Sequence, residues 1–130
     1  MKKIFSKVLV ACGMLLSCAC CAQKPKFDSV SAEEFERLLK DNREVQLVDV
    51  RRPEEFEAGH IDKAVLINVQ DSDFITRAKS LLDKSKPVAV YCRSGRRSKE
   101  AANMLVKEGF SVFDLDSGYL GWMAYINSKK

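Results

Sequence analysis

The run Val88-Ala89-Val90-Tyr91-Cys92-Arg93-Ser94-Gly95-Arg96-Arg97-Ser98 limits the fold of this chain more than any other stretch. An apolar, β-branched segment ends in a cysteine. A short loop of arginines, serines and one glycine follows, and then a helical pattern from Lys99 to Gly109. The thiol is therefore expected at the carboxyl end of a strand and the amino end of a helix. Helix amino ends carry unsatisfied N–H groups and about half a positive charge, which favour a thiolate over a thiol. An ordinary cysteine titrates near pH 8.5, and such surroundings can bring that down to roughly 3.5–7.5. The same N–H groups, with Arg93, Arg96 and Arg97, would cradle an anion. The segment reads as a nucleophilic thiolate beside an anion pocket. The alternative, a small buried core cysteine, agrees poorly with the arginines and glycine that flank it.

Cysteine placement sharpens this reading. Of five cysteines, Cys12, Cys18, Cys20 and Cys21 precede Gln23, and Cys92 stands alone in residues 23–130. No disulfide can form within that stretch. His60 is the only histidine, so a zinc site is not expected, nor is any other cofactor.

The amino terminus reads as an export signal. Met1 to Lys7 is short and basic, and Val8 to Cys21 is almost wholly apolar or small. That stretch is shorter than the roughly 20 residues a transmembrane helix needs, and it fits the apolar region of a secretory signal. Leu15-Leu16-Ser17-Cys18 resembles the lipobox of bacterial lipoproteins, which implies cleavage before Cys18 and a lipid on that cysteine. Ordinary cleavage after Ala22 is the alternative. Residues 1–22 are thus expected to be a signal peptide and residues 23–130 a single domain, working in the cell envelope, lipid-anchored or periplasmic. Membrane contact is expected only through the lipid anchor. Residues 1–22 contain Lys2, Lys3 and Lys7 and no acid, so 19 bases face 18 acids in the remainder. Such a balance points to no nucleic-acid partner.

Residues 23–130 are enough for one domain with one core. Ser31 to Asn42 opens with the capping-box pattern Ser31-Ala32-Glu33-Glu34 and places Phe35, Leu38 and Leu39 at helical spacing. Strands are predicted over Val45–Val50, Ala64–Val69, Val88–Tyr91 and Val112–Leu115. Helices are predicted over Pro53–Ala58, Asp71–Leu82 and Arg96–Glu108, with Gly109 as the stop, and a final one over Trp122–Ile126. Strands that alternate with helices imply an α/β fold whose mainly parallel sheet is covered on both faces. Ligands in such folds bind beyond the carboxyl ends of strands, where Cys92 falls.

Two blocks carry a family resemblance. The first is Leu47-Val48-Asp49-Val50-Arg51 with Glu54, Glu55, Phe56, Gly59-His60-Ile61, Ala64 and Asn68. The second is the Cys92–Ser98 loop. A weaker third is Leu115-Asp116-Ser117-Gly118-Tyr119 with Trp122, where Ser117 replaces a glycine of the family pattern. From about Phe27 to Ile126 the chain resembles a single-domain rhodanese, a sulfurtransferase. The resemblance implies a three-layer α/β/α fold with a five-stranded sheet, whose first strand lies around Phe27 to Val30. It implies that Cys92 takes the outer sulfur of thiosulfate or a similar small sulfur-containing anion. A persulfide forms, and cyanide, a thiol or an acceptor protein then takes the sulfur.

Within that scheme the expected substrate-binding groups are Arg93, Ser94, Gly95, Arg96, Arg97 and Ser98. Backbone N–H groups of residues 93–97 and at least one guanidinium are expected to face the anion. Ser94 and Ser98 would bond the persulfide, unless Ser98 only caps the helix. Asp49 and Arg51 are read as an ion pair that fixes a loop, and His60 as structural support. Trp122 is read as core or pocket wall, and Glu54, Glu55 and Glu57 as a solvated helix face. Three other functions compete. A non-enzymatic persulfide carrier would keep the same loop. A cysteine phosphatase would want C-x5-R, but Arg97 lies five after Cys92 and Ser98 six. A thiol–disulfide oxidoreductase would want C-x-x-C, which the loop lacks.

Overall fold

The computed structural model describes residues 26–130. The expected signal segment, with Cys12, Cys18, Cys20 and Cys21, lies outside the described residues. The elements run β1 (Asp28–Val30), α1 (Ala32–Asp41), β2 (Gln46–Asp49), α2 (Pro53–Ala58), β3 (Val65–Leu66), α3 (Phe74–Leu81), β4 (Val88–Tyr91), α4 (Arg96–Lys107), β5 (Val112–Leu115) and α5 (Gly118–Ser128). All strand pairs are parallel, in the order β1-β5-β4-β2-β3. This is the expected five-stranded α/β sheet, with β4 at its centre. From β2 the chain moves on to β3 at one edge, and from β4 to β5 on the other side. A crevice therefore opens beyond the carboxyl ends of β2 and β4.

Side-chain alternation divides the core into two layers. On one face Val48, Val50, Val88, Val90 and Cys92 pack with Phe74 and Ala78 of α3 and with Ala101, Ala102 and Leu105 of α4. On the other, Leu47, Ala89, Tyr91 and Leu115 pack with Phe35 of α1 and with Tyr119 and Trp122 of α5. Trp122 meets Phe35 edge-on, ring centroids 6.0 Å apart. Cys92 continues the alternation of β4, so its side chain points to the α4 face.

Local chemistry explains the element ends. The Ser31 hydroxyl accepts the Glu34 N–H at 3.2 Å and starts α1. Pro53 occupies the first turn of α2. At the end of α4 the Gly109 N–H donates to the Val106 carbonyl (3.0 Å) and the Phe110 N–H to that of Leu105 (3.1 Å). Phe110 and Leu105 share one apolar cluster, which completes this helix stop.

Three predicted boundaries need correction. β3 is two residues long rather than six. Beyond it Ile67 N–H still bonds the Asp49 carbonyl, but Asn68 turns the chain by accepting the Gln70 N–H on its side chain at 2.9 Å. The turn from Asn68 to Asp73 also delays α3 to Phe74. The last helix starts at Gly118, four residues before Trp122. Two glycines in its first four residues hide the helical signal.

Candidate active site

Cys92 follows the last residue of β4, and three residues later the chain enters α4. The Gly95 N–H donates to Cys92 Sγ at 3.1 Å. The Sγ lies 3.5 Å from Ser98 Oγ, which in turn donates to the Gly95 carbonyl at 3.2 Å. The thiol is only 1% exposed. Gly95 is the N-cap of α4 with φ 106°, and a Cβ there would collide with the Asp116 carbonyl oxygen. Only glycine satisfies both conditions. Ser98 is therefore not the cap; it braces the cap from the first turn of the helix.

The amino end of α5 holds this loop from behind. The Tyr119 N–H donates to the Cys92 carbonyl at 2.8 Å and the Leu120 N–H to that of Arg93 at 3.1 Å. Such close approach excludes a side chain at Gly118, whose Cβ would strike the Arg93 carbonyl. Gly118 also carries the left-handed turn, φ 66°. Ser117, which departs from the family pattern, sits at φ −89°, ψ −1°, where any residue fits. The turn is kept without the first glycine.

The three loop arginines differ. Arg97 donates through two nitrogens to both oxygens of Glu55, at 2.8 and 2.9 Å. This corrects the reading of Glu55 as part of a solvated face, because its side chain is 16% exposed. The pair fastens α2 to the first turn of α4 across the crevice. Arg93 and Arg96 are exposed, and among the described residues neither has an ion-pair partner. A cavity of about 370 Å3 beside the loop is lined by Gln70, Ser94, Arg96, Arg97 and Glu100. Arg96 therefore offers the unpaired guanidinium at the cavity. Gln70 and Glu100 join the lining without any sequence signal, because only the turn after β3 and the helical return of α4 bring them there.

Asp49 and Arg51 form a buried pair on the other face of the sheet. Arg51 Nε lies 3.0 Å from Asp49 Oδ1, and Arg51 Nη2 lies 2.7 Å from Oδ2. Arg51 Nη2 also donates to the Gly59 carbonyl at 2.6 Å. The guanidinium carbon lies 4.5 Å from the Tyr119 ring centroid. Burial and the Asp49 carboxylate hold the Tyr91 phenol well above its ordinary range, so it stays protonated. Its oxygen accepts the Ile61 N–H at 3.0 Å. His60 is exposed; it stacks on Phe56 at 3.7 Å and its Nδ1 lies 2.8 Å from the Phe56 carbonyl. It ends α2 and makes no hydrogen bond to Cys92.

A cysteine sulfur that receives a backbone N–H at the amino end of a helix, with a cavity lined by Arg96 next to its loop, has the surroundings in which a thiol can act on an anionic centre. The model of the rhodanese-like domain matches residues 31–125, from the cap of α1 into α5. The chain belongs to the rhodanese-like domain family. This rhodanese-like domain is 45% identical over 99 residues to the thiosulfate sulfurtransferase GlpE of Pseudomonas syringae pv. syringae, covering 75% of this chain and 88% of that protein. It is 32% identical over 96 residues to a sulfurtransferase of Allochromatium vinosum, covering 73% and 87%. Among solved structures it is similar to a rhodanese-related protein from Thermoplasma volcanium, with TM-score 0.66 and 26% identity over 76% of this chain and 93% of that one. Both of these curated relatives are named sulfurtransferases.

The Glu55–Arg97 pair makes a pH prediction for this rhodanese-like domain. The Arg97 guanidinium holds the Glu55 carboxyl at about 2, below the ordinary 4.5, although burial acts the other way. A lowered carboxylate contributes its full stability above about pH 4.5 and loses it as the pH falls from there toward 2. Glu55→Gln is expected to cost about 1–2 kcal/mol at pH 7 after allowance for solvent screening. The difference from wild type should shrink in thermal melts below pH 4 and vanish near pH 2. A difference that stays constant from pH 7 to 2 would mean that Glu55 stabilises by packing alone.

Proposed function

We propose that this rhodanese-like domain is a sulfurtransferase that carries sulfane sulfur on Cys92, from thiosulfate or a similar anion to a thiol or cyanide. The Cys92 thiolate attacks the outer sulfur of the donor. A new S–S bond forms, and the S–S bond of thiosulfate breaks with its electron pair leaving on sulfite. An acceptor thiolate or cyanide then attacks the outer sulfur of the persulfide, and the Cys92 thiolate departs.

The observation that carries this reading is the Gly95 N–H at 3.1 Å from Cys92 Sγ, in a turn that only glycine can form. A backbone N–H in that position favours the ionic forms of the sulfur before and after transfer. The tight loop also speaks against a phosphatase. Ser98, six residues after Cys92, is buried against Sγ and the Gly95 carbonyl and offers no guanidinium to a phosphate.

Intact-protein mass spectrometry tests the proposal. Thiosulfate should add one sulfur atom and release sulfite, and cyanide should remove that sulfur as thiocyanate. A wild-type protein that stays unmodified, without sulfite release, refutes the transferase reading. Cys92-dependent hydrolysis of p-nitrophenyl phosphate would put the phosphatase in its place.

Arg96 is expected to matter most among the loop arginines for donor use. Removing a charged hydrogen-bond donor costs about 1.5–3 kcal/mol, so Arg96→Ala should lower kcat/KM for thiosulfate roughly ten- to over a hundredfold. Its melting temperature should stay close to wild type, because Arg96 is exposed. Thiosulfate kinetics of Arg93→Ala, Arg96→Ala and Arg97→Ala check this. Wild-type values in all three would assign anion binding to backbone N–H groups alone.

A further inference from the structure

Behind the Cys92 loop lies a charged cluster that the reaction scheme does not use. Lys99 sits in the first turn of α4, and its side chain runs back toward the amino end of that helix. Its Nζ lies 3.2 Å from the Gly95 carbonyl oxygen, 2.9 Å from Asp116 Oδ1 and 3.0 Å from Asp114 Oδ2. Asp114 is on β5 and fully buried. Its Oδ2 also accepts the Ser29 hydroxyl at 2.8 Å, while its Oδ1 has no partner among the described residues.

Stability alone does not account for this arrangement. A buried carboxylate is costly, and a buried ion pair often holds a fold no better than uncharged residues of the same volume. A cation in the first turn also opposes the helix dipole. The cluster is nevertheless aimed at one atom of the loop, the Gly95 carbonyl. Glycine has no side chain to limit its own backbone, so contacts from outside must fix its orientation. Burial would drive the Lys99 ammonium toward its neutral form, but Asp116 and Asp114 outweigh that and keep it charged.

We propose that Lys99 is a positioning residue for sulfur transfer: clamped by Asp114 and Asp116 at the carboxyl end of β5, its ammonium fixes the Gly95 carbonyl and thereby keeps the Gly95 N–H on Cys92 Sγ. This rests on the reading of Cys92 as the nucleophile. Lys99 has no donor free for substrate in this arrangement, so it acts through Gly95 alone. It therefore affects the rate at which Cys92 reacts and leaves thiosulfate affinity unchanged.

The test uses Lys99→Met/Asp114→Asn, since Lys99→Met alone would leave the buried carboxylate without its cation. Asp116→Asn loosens the same clamp from the exposed side, and Lys99→Arg is the conservative variant. In the double variant, iodoacetamide alkylation of Cys92 at neutral pH and kcat with thiosulfate should both fall about tenfold, the equivalent of one weakened charged hydrogen bond. KM for thiosulfate should not change. Asp116→Asn should slow alkylation in the same direction, with an unchanged melting temperature, and Lys99→Arg should restore most of both rates. Wild-type alkylation in a folded double variant overturns the proposal. If the double variant does not fold, wild-type alkylation in Asp116→Asn overturns it instead. A rise in KM at constant kcat also overturns it, by making Lys99 a donor-binding group. Alkylation does not depend on sulfur transfer, so a failure of thiosulfate to load the wild type leaves this test intact.

Discussion

Cys92→Ser is expected to abolish sulfur loading from thiosulfate and leave the folded domain intact. The loss should be complete because a hydroxyl at neutral pH lacks both the ionisation and the nucleophilicity of a thiolate and forms no persulfide. The fold should survive because the position already suits a small polar atom. Sγ receives the Gly95 N–H at 3.1 Å and lies 3.5 Å from Ser98 Oγ, so a serine hydroxyl finds a donor and an acceptor within reach. The net change in stability should stay within about 1 kcal/mol. Mass spectra after thiosulfate treatment and thermal melts of both proteins check the two halves. A sulfur adduct that persists in Cys92→Ser would move the chemistry to a cysteine before Gln23. A collapsed melting curve would make Cys92 a core residue first.

Local rules account for what the sequence revealed. Pro53, Ser31 and Gly109 act within a few residues of themselves, and α1, α2 and α4 begin or end where they stand. β4 was legible because a continuous apolar run marks a strand buried on both faces, and β5 because three of its four residues are apolar and only Asp114 interrupts them. The short β1 carries no such run and followed from the family resemblance alone. The site divided along the same line. Cys92 and the Gly95 turn are local, and the sequence exposed them. Glu55 is not local, since its partner Arg97 lies 42 residues away, and no spacing rule separates it from exposed Glu54. The same holds for Lys99 with Asp114 and for Gly118 behind Arg93. Each needs β5 to lie beside β4, which is a property of the folded sheet.

The second large effect is expected at Arg51. Arg51→Met should destabilise the domain by about 3–5 kcal/mol, because it leaves the fully buried Asp49 carboxylate without its cation. In a domain of about 100 residues each kcal/mol moves the melting temperature by about 4–8 °C, so the fall should be at least roughly 12 °C. Asp49→Asn/Arg51→Met removes both charges and should recover most of that loss. Activity should not recover with it. Arg51 Nη2 holds the Gly59 carbonyl at 2.6 Å, immediately after α2, and α2 presents Glu55 to Arg97. With that bond gone, the wall of the crevice opposite Cys92 loses an anchor that an uncharged pair does not replace. Melting curves and thiosulfate kinetics of the two variants separate these contributions. A double variant as unstable as the single would place the cost in the Gly59 bond and the stacking on Tyr119, and the stranded charge would not be the cause. A double variant with wild-type kinetics would free the crevice wall from Arg51 and leave the pair a purely structural one.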